Sequence, residues 1–547
     1  MGGRLIEKSS SAYDFPLLVR RIIDTPLRAA DGQRIVHAGH GRHTYADLRE
    51  RIGRLASALQ TIGVRPGDTV GVMDWDSHRF LEAYLAVPMM EAILFTVNVR
   101  LSPEQIIYTA NHSGASVMLV HEDFLDLLEQ VRPKLTALRA VVILSDKGTS
   151  TSAPWAVGEY EAIVGAASPD FRFQDFDENT QATTFYTTGT TGNPKGVYFS
   201  HRQLVLHTVA LLARFGSQAS QGRFHLDDVY MPMTPMFHVH AWGFPWAATM
   251  AGVKQVYPGR YVPDVLLDLI RSEGVTFTHC VPTVLQMILN APASKGVDLS
   301  RLKMVIGGSA LPAALARQAL ERGIDIFAGY GMSETGPIMT VARPSTDHDG
   351  HSLDAQIEQR ARAGYAGPLV EVRVVDSTMA DVPRDSSTAG EVVARAPWLT
   401  QGYWQNPDAS EELWSGGYLH TNDVATVAPD GCIQITDRLK DVIKTGGEWV
   451  SSLQIESLIS QSADVVEAAV IGVKDDRWGE RPLAIVAQRD GQDSVATEAV
   501  IKRDLAAFAN RGVISKYAIP ERIVFVDALP KTSVGKLDKK ALRALYG

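Results

Sequence analysis

The 547-residue sequence predicts an α/β fold: a large N-terminal part with two α/β units and a small β unit, followed by a smaller α+β domain. Short apolar runs of strand length alternate with helix-like segments through most of the chain. The C-terminal region carries its own strand-like runs and a different charge balance. At roughly 150 residues per domain, this length leads us to expect three or four structural units.

Composition excludes several classes of protein. Hydrophobic residues make up 45% and charged residues 21%, which is typical of a globular protein. The 62 acidic residues exceed the 53 basic ones, and the net charge of −9 argues against a nucleic-acid-binding surface. With only two cysteines, Cys280 and Cys432, we expect neither a disulfide framework nor a four-ligand zinc site built on cysteines, and we predict a reducing, cytoplasmic location. The chain has no signal-like N-terminus and no run near the about 18 apolar residues of a membrane span, so no integral membrane segment is expected.

The first α/β unit opens with a helix and then a strand. Thr44 and Asp47 have the spacing of a capping box, and Gly63 marks the predicted helix end. Between them the apolar residues recur at helical spacing: Leu48, Ile52, Leu55 and Leu59. Residues 68–73, 116–120 and 140–144 are apolar runs short enough for buried strands, with helix-like segments between them.

Residues 145–180 are rich in Ser, Thr, Pro, Gly and acidic residues, which predicts an exposed connection to the second α/β unit. In that unit, residues 304–308 and 324–330 predict strands that end in glycines, where open parallel sheets place ligands. Residues 390–436 predict short antiparallel strands separated by Gly, Pro and Asp-Gly turns.

A separate domain is predicted from residue 441 onward. Over residues 441–547, 15 basic residues balance 15 acidic ones, so the negative charge belongs to the larger N-terminal part. Strands are predicted at residues 468–473, 483–487 and 522–526.

The most informative stretch is residues 186–196, in which four threonines, three glycines and one lysine follow a predicted strand. Glycines let backbone amides wrap an oxyanion, threonine hydroxyls add donors and the lysine adds positive charge, a combination suited to a triphosphate. Lys195 is followed by Gly196 and not by Ser or Thr, so the stretch is not a Walker loop. A generic stretch of this composition is more often a surface turn.

This stretch resembles the phosphate loop of the adenylate-forming superfamily of acyl-CoA synthetases, carrier-protein adenylation domains and luciferases. Further motifs follow in that family's order, at residues 235–243, 307–310, 329–335, 418–423, 437–452 and 530–536. The likeness covers nearly the whole chain from about residue 30, and is strongest to bacterial fatty-acid–CoA ligases. It implies an adenylation domain at residues 1–437, a hinge at 438–440 centred on Lys440, and a mobile C-terminal domain at 441–547.

The resemblance implies a role for each matching residue. Tyr330 would stack on adenine, Ser333 would bind the α-phosphate, and Glu334 with Thr187 would hold Mg²⁺. Asp423 and Arg438 would contact the ribose, although Asn422 replaces the glycine of the family's motif. The implied contacts to ATP or coenzyme A are Thr187, Thr188, Gly189, Thr190, Thr191, Gly192, Lys195, Gly308, Ser309, Gly329, Tyr330, Gly331, Met332, Ser333, Asp423, Ile435, Arg438, Gly446, Gly447, Glu448 and Trp449.

Catalysis of adenylation is implied for Lys536, together with Glu334, Thr187 and His238. Lys536 has the motif spacing, whereas Lys539 and Lys540 fit ordinary solvent-exposed charges near a C-terminus. The Gly446–Gly447 turn would line the path of the thiol after the C-terminal domain rotates. Since the thiol attacks acyl-AMP directly, the cysteines are expected to be structural.

The acid pocket implied by the resemblance contains His238, Val239, His240, Ala241, Trp242, Trp246, Gly308, Ser309 and Met332. Two histidines two residues apart could instead be metal ligands or packed polar residues. His240 stands where the fatty-acid ligases commonly have asparagine, and Trp246 replaces a smaller aromatic residue. A shorter, more polar cavity follows, which favours a short acid, branched or hydroxylated, such as 2-hydroxyisobutyrate.

Alternatives remain open on this evidence. The acid could be a plain short- or medium-chain fatty acid, or a medium- to long-chain one. The chain ends eleven residues after Lys536, which favours free coenzyme A over a fused carrier domain. A homodimer is one option for assembly. From another class, a non-catalytic nucleotide-binding protein would bind ATP without acid-dependent pyrophosphate release.

Overall fold

The computed structural model describes residues 3–148, 153–187, 193–218, 222–342, 351–445, 448–489, 491, 493–532 and 537–547. The strands of these regions, in chain order, are β1 (Arg34–His37), β2 (Gly41–Thr44), β3 (Thr69–Met73), β4 (Ile93–Thr96), β5 (Ala115–His121), β6 (Ala140–Leu144), β7 (Gly158–Glu159), β8 (Gln181–Thr187), β9 (Lys195–Ser200), β10 (Val229–Pro232), β11 (Lys254–Tyr257), β12 (Phe277–Cys280), β13 (Lys303–Ile306), β14 (Asp325–Gly331), β15 (Ile338–Val341), β16 (Tyr365–Ala366), β17 (Glu371–Val375), β18 (Gly390–Arg395), β19 (Leu419–Val427), β20 (Ile433–Arg438), β21 (Ile443–Thr445), β22 (Glu448–Val450), β23 (Val465–Asp475), β24 (Gly479–Gln488) and β25 (Arg522–Val526).

Helices connect most of these strands. The α-helices are α1 (Arg20–Asp24), α2 (Pro26–Ala29), α3 (Tyr45–Ile62), α4 (His78–Met89), α5 (Pro103–Ser113), α6 (Leu125–Val131), α7 (Tyr160–Ala166), α8 (His201–Gly216), α9 (Phe244–Ala251), α10 (Pro263–Glu273), α11 (Pro282–Asn290), α12 (Ala313–Glu321), α13 (Leu353–Ala361), α14 (Pro407–Leu413), α15 (Ser452–Ile459), α16 (Ser494–Asn510) and α17 (Lys539–Tyr546). Short 3-10 helices lie at Glu122–Phe124, Arg132–Lys134, Val239–Gly243, Pro292–Gly296, Ser333–Thr335, Ser415–Gly417 and Lys516–Ala518. Within the described ranges, none of the helices combines the length and the apolar composition needed to cross a bilayer.

Four sheets organise the described chain. The first has the order β7-β6-β5-β3-β4-β8-β9, and the second β16-β15-β14-β13-β12-β10-β11-β1-β2. Most neighbouring strands in these two sheets are parallel, and one apolar cluster contains residues of both, including Val72 of β3 and Phe327 of β14. The third sheet, β17-β18-β19-β20, is antiparallel. The fourth sheet lies in the C-terminal region and has the order β22-β21-β24-β23, with β25 paired to β24. The α/β class, with its small β unit and smaller C-terminal domain, is therefore confirmed.

Local sequence signals explain where several elements begin and end. Thr44 and Asp47 form the predicted capping box of α3, and Gly63 ends the helix in the left-handed region at φ 102°. The predicted strands at 68–73, 116–120 and 140–144 correspond to β3, β5 and β6, which are buried along their length. Burial on both faces explains why these strands are continuous apolar runs.

The prediction for residues 145–180 was wrong in two respects. The segment contains β7 and α7, and Tyr160 of α7 is fully buried with its hydroxyl on Glu82 at 2.6 Å. The strands that follow it, β8 and β9, complete the first sheet and do not open a second one. Strand pairing is decided by contacts with β4, about ninety residues earlier in the chain, which local composition does not encode.

The prediction for Lys539 was also wrong, because this side chain is not simply exposed to solvent. Its Nζ lies 2.7 Å from Glu456 and donates to the Ser452 hydroxyl at 2.6 Å. Ser452 in turn bonds Asp437 of β20, so α17, α15 and the third sheet are linked through polar side chains. Lys540 is exposed as expected.

Candidate active site

The glycine-rich ends of β13 and β14 form one edge of the site. The two strands are parallel neighbours, so Gly307, directly after β13, lies beside Gly329 of β14. A Cβ on Gly307 would lie 3.0 Å from the Trp242 ring and from the Gly329 oxygen. A Cβ on Gly331 would lie 1.6 Å from the Pro337 carbonyl oxygen, which no side chain can occupy. Glycine is therefore required sterically at this edge, independently of any ligand.

Glu334 lies just beyond this edge, in the 3-10 turn Ser333–Thr335, and is 6% exposed. Its Oε1 accepts a hydrogen bond from the Tyr403 hydroxyl at 2.7 Å, and its carbonyl oxygen accepts from the Thr400 amide at 3.0 Å. Burial raises the pKa of Glu334, while Tyr403 and the charge of Lys195 oppose that rise. A carboxylate that is poorly solvated in this way is suited to a cationic partner.

Lys195 approaches the same carboxylate from the first sheet. It opens β9 opposite Thr187 in the β8–β9 pair, and its Nζ lies 4.6 Å from the centre of the Tyr403 ring. The Trp404 amide donates to the Gly196 carbonyl at 2.8 Å, which anchors the 400–404 segment to the hairpin. The other predicted phosphate-loop residues, Thr188, Gly189, Thr190, Thr191 and Gly192, lie outside the described residues.

Tyr330, Asp423 and Arg438 form a second polar group. The Tyr330 hydroxyl donates to Asp423 Oδ2 at 2.9 Å, and Arg438 Nε lies 3.2 Å from Asp423 Oδ1. Asp423 and Arg438 are direct partners across β19 and β20, so the pair is set by strand register. Ile435 and Tyr330 pack against the same small apolar cluster. Residues from three motifs thus converge on the carboxylate of Asp423. The residue as a whole is 6% exposed.

Asn422 occupies the position where the family motif has glycine. Its backbone has a φ of 58°, in the left-handed region, and its amide donates to Glu391 Oε1 at 3.1 Å. Asparagine tolerates this conformation better than other side chains, so the turn is kept without glycine. The replacement leaves Asp423 in place within β19, opposite Arg438.

The segment that follows His238 has an unusual backbone. Val239, His240, Ala241 and Trp242 have φ values of 46°, 52°, 47° and 59°, all in the left-handed region. For non-glycine residues this conformation costs roughly 1–2 kcal/mol each and persists only where the surroundings enforce it. The segment is buried, and a Cβ on Gly243 at its end would lie 2.8 Å from His207. A strained stretch between tightly packed neighbours is typical of a functional site.

His240 is enclosed by aromatic rings. Its ring centre lies 4.9 Å from Trp246, 5.0 Å from Phe185, 5.9 Å from Tyr84 and 6.2 Å from Phe199. Burial lowers the pKa of His240 to about 3, so the imidazole is neutral. Within the described part of the chain, neither His240 Nε2 nor Trp246 Nε1 has a hydrogen-bond partner. Two neighbouring buried polar atoms are therefore available to a polar ligand.

Sequence reasoning missed three residues of this region. Tyr403 holds Glu334 and contacts Lys195, Tyr84 flanks His240, and His207 packs on Gly243 and Gly336. Tyr84 and His207 lie inside helices α4 and α8, and Tyr403 lies in a connection outside the motifs considered. No local signal distinguishes them from ordinary core or loop residues, because each of the named partners is at least 36 residues away in the chain.

Only part of the C-terminal prediction falls in the described chain. Lys536, Gly446 and Gly447 lie outside the described residues. Lys440 is exposed in the turn between β20 and β21, where the amides of Asp441 and Val442 both donate to the Arg438 carbonyl. The backbone positions Glu448 and Trp449 pair with Thr445 and Lys444 across β21 and β22.

The two cysteines are buried and not disulfide-bonded. Cys280 Sγ lies 3.5 Å from Met304 Sδ, inside the core of the second sheet. Burial raises the pKa of both thiols, which disfavours the nucleophilic thiolate. Their surroundings fit a packing role.

Two family models match the chain. One, described as AMP-binding enzyme, covers residues 26–404, and the other, the AMP-binding enzyme C-terminal domain, covers residues 454–536. A long-chain-fatty-acid–CoA ligase of Thermus thermophilus is 38% identical over 515 residues, covering 93% of this chain and 92% of that protein. A 3-methylmercaptopropionyl-CoA ligase of Ruegeria pomeroyi is 36% identical over 543 residues and covers 97% of each chain.

Solved structures of CoA ligases and related enzymes are similar to this chain over nearly its whole length. The anthranilate CoA ligase AuaEII in complex with anthranoyl-AMP has a TM-score of 0.84 and 26% identity, covering 97% of this chain and 98% of that one. ATP-bound MatB from Rhodopseudomonas palustris has a TM-score of 0.81 and 26% identity, covering 97% and 99%. The chain therefore belongs to the AMP-binding enzyme family, and it is an AMP-forming acid–thiol ligase that makes acyl-CoA through acyl-AMP.

Proposed function

We propose that this ligase activates a short- to medium-chain carboxylic acid that carries a polar group, and transfers the acyl group to free coenzyme A. The observation that carries the choice of acid is the aromatic enclosure of His240, in which Nε2 of His240 and Nε1 of Trp246 have no partner among the described residues. The rings of Trp246, Phe185 and Phe199 around His240 are fully buried, so a long alkyl chain would find little room beside them. Unpaired buried polar atoms penalise a plain hydrocarbon and favour a substrate that can pair with them.

The chemistry starts from an electrostatic problem. A carboxylate oxygen of the acid must attack the α-phosphorus of ATP, forming the acyl-AMP anhydride as the bond to pyrophosphate breaks. Both reactants are anions, so cationic groups lower the barrier by offsetting their repulsion. Lys195 beside Glu334 and Arg438 beside Asp423 are the described cations suited to this role. In the second step the thiolate of coenzyme A attacks the acyl carbon and AMP leaves.

The nucleotide would be oriented by the group around Asp423. Its carboxylate has two acceptor oxygens for the two ribose hydroxyls, and Tyr330 would present its ring to the adenine while its hydroxyl stays on Asp423. Ser333 follows directly in the turn after β14, where its hydroxyl would reach the α-phosphate. Gly308 and Ser309, exposed at the end of β13, would leave room for the backbone to approach AMP.

The donor set around Glu334 fits Mg²⁺. The buried Glu334 carboxylate and the hydroxyl of Thr187, which pairs with Lys195 across the β8–β9 hairpin, would offer the hard oxygen ligands that this ion prefers. When bound, Mg²⁺ would supply charge neutralisation at the phosphates. Tyr403 would keep the Glu334 carboxylate oriented through its 2.7 Å hydrogen bond.

Lys536 is proposed to deliver an ammonium to the phosphate and carboxylate in the first step only. Rotation about Lys440 would then withdraw it and bring the Gly446–Gly447 turn toward the acid site. Residues 438–442 join the third sheet to the fourth, and Lys440 within them is exposed, which supports a hinge there, because a hinge needs only a few residues that absorb backbone rotation. One cavity would in this way serve two steps that need different groups.

Lys536→Ala is expected to slow acyl-AMP formation by about 100-fold or more, because one charge that stabilises the transition state is lost. Conversion of supplied acyl-AMP to acyl-CoA should change by less than about fivefold. Pyrophosphate exchange and thioester formation from synthetic acyl-AMP measure the two half-reactions separately. Lys540→Ala, an exposed lysine four residues away, is the matched control and should leave both unchanged. Equal losses in both half-reactions would contradict the proposal that Lys536 acts in acyl-AMP formation only.

The two named relatives favour different acids. The Thermus protein is a long-chain ligase, whereas the Ruegeria protein acts on a short acyl group that contains sulfur. The second fits the polar atoms around His240 better, and a branched 2-hydroxy acid such as 2-hydroxyisobutyrate is a further member of the same class. A medium- or long-chain fatty acid remains the competing candidate, favoured by the Thermus relative.

A panel of straight, branched, 2-hydroxy and thioether acids, read out as acyl-CoA mass with ATP and free coenzyme A, tests the proposed substrate. We expect kcat/KM to fall by about tenfold for each methylene beyond the optimum, because the rings close the pocket. Trp246→Phe should lengthen the preferred chain and weaken the preference for polar acids. Trp155→Phe, far along the chain and beside Arg132, is the control. Preference for acids of about ten carbons would refute the polar-pocket proposal while leaving the ligase activity intact.

A further inference from the structure

Five of the 15 histidines of this protein gather at one place outside the nucleotide site. They lie where the β1–β2 hairpin of the second sheet meets α4 and β5 of the first-sheet unit: His37, His40, His43, His78 and His121. Asp146, just after β6, and Arg79 of α4 join the same cluster. The proposed ligase mechanism uses none of these groups.

Three of these residues offer ligand atoms that converge. One nitrogen each of His37 and His40 and one carboxylate oxygen of Asp146 all lie within 4.8 Å of one another. His40 Nε2 lies 3.5 Å from Asp146 Oδ2. Two ligands of a tetrahedral Zn²⁺, each about 2.0–2.1 Å from the ion, stand roughly 3.4 Å apart, so this pair is already at the required separation.

The hairpin turn explains why the two histidines face the same side. The His40 amide donates to the His37 carbonyl at 3.0 Å, and Gly39 takes φ 73° between them. Their ring centres are 4.7 Å apart. A short turn that returns to the strand thus presents His-x-x-His as a preformed pair.

A hydrogen-bond chain leaves one nitrogen of His37 available. His78 Nε2 lies 3.4 Å from Glu161 Oε1, and a carboxylate oxygen can only accept, so the ring proton of His78 lies on Nε2. His78 Nδ1 then accepts from His37 Nδ1 at 3.1 Å. His37 Nε2 is left with its lone pair. Gly259 lies beside this atom, and because a Cβ at Gly259 would be 3.8 Å from Nε2, the glycine keeps side-chain atoms away from it. Orientation of a metal-binding histidine by a second residue is the usual arrangement in metal sites.

Asp146 is oriented in a similar way. Arg79 pairs with Oδ1, while His121 Nε2 donates to Oδ2 at 3.1 Å. His121 Nδ1 accepts from the Asp123 amide at 3.1 Å, which fixes its proton on Nε2. The same Oδ2 lies 3.5 Å from His40 Nε2 and has a second lone pair with which it can bind an ion.

We propose that His37, His40 and Asp146 bind a divalent transition-metal ion of the Zn²⁺ type at the boundary between the two large sheets. Two imidazoles and one carboxylate favour such an ion over Mg²⁺ or Ca²⁺, which prefer oxygen ligands alone. The His40 and Asp146 side chains are 34% and 25% exposed, which gives the ion a path from solvent. Bound there, the ion would tie the β1–β2 hairpin to the end of β6 and stabilise the N-terminal domain.

The test is titration of the metal-free full-length protein with Zn²⁺ in a calorimeter, with metal content measured after dialysis. We expect one equivalent to bind and to raise the melting temperature, with Mg²⁺ unable to replace it. His40→Ala should weaken this binding by about 100-fold or more, because it removes one of three protein ligands. Since His40 is exposed in the turn between β1 and β2, the variant should fold normally.

His225→Ala is the matched control, because His225 is also partly exposed and lies near two aspartates. It should bind Zn²⁺ as the unmodified protein does. The visible spectrum of the Co²⁺ form gives an independent readout, since tetrahedral coordination should be present in the control and lost in His40→Ala. Absence of a bound equivalent, or equal Zn²⁺ affinity and thermal shift in both variants, would overturn the proposal.

Discussion

Glu334→Gln is expected to lower acid-dependent exchange of pyrophosphate into ATP by about 100- to 1,000-fold. Glutamine keeps the shape and the oxygen that accepts from Tyr403, but it removes the negative charge proposed to hold Mg²⁺. Burial raises the pKa of Glu334, so in the free protein the charged form is disfavoured. Removing that charge should therefore leave the melting temperature unchanged or raise it.

Glu82→Gln is the contrasting variant. Glu82 is also buried and also accepts from a tyrosine hydroxyl, that of Tyr160, but it is paired with Arg51 at 2.6 Å. Breaking this pair leaves the Arg51 guanidinium with Glu161 as its remaining carboxylate partner, and we expect a stability loss of about 1–3 kcal/mol with exchange per folded molecule unchanged. Denaturant unfolding and exchange rates measured on both variants separate the two effects. If Glu334→Gln lost stability in parallel with activity, the functional role assigned to its charge would be wrong.

Gly331→Ala is expected to destabilise the protein by about 3 kcal/mol or more and to abolish adenylation. The new Cβ would lie 1.6 Å from the Pro337 oxygen and 2.6 Å from the Pro337 carbonyl carbon. Because both atoms are backbone, no rotamer change relieves the contact, and the β14–β15 pair must shift. That shift would displace Tyr330 and Glu334, which flank Gly331 in the chain.

Gly165→Ala is the matched control for this substitution. Gly165 lies in α7 with no atom within 4 Å of the position a Cβ would take. Alanine is the better helix former, so we expect a gain of about 0.5–1 kcal/mol and unchanged exchange. Urea unfolding of both variants gives the comparison. A Gly331→Ala protein as stable and as active as Gly165→Ala would contradict the steric argument.

Much of the fold could be predicted where the signal is local. The α3 helix follows from the Thr44–Asp47 capping box, the apolar spacing and Gly63, all within twenty residues. Motif order likewise brought Tyr330, Asp423 and Arg438 together as ribose and adenine residues, and the structure joins them by hydrogen bonding and strand register. The contacts of these three residues with the adenine and the ribose remain predictions.

The sequence by itself determined strands such as β3, β5 and β6, the glycine-rich ends of β13 and β14, and the family motifs, because these depend on neighbouring residues and on fixed spacings. The tertiary structure alone decided that β8 and β9 complete the first sheet, that Tyr403 holds Glu334, that Lys539 is paired with Glu456, and that rings enclose His240. It also decided the convergence of His37, His40 and Asp146. Pairing and burial join residues far apart in the chain, and their free energy depends on the packed arrangement, which no local pattern encodes.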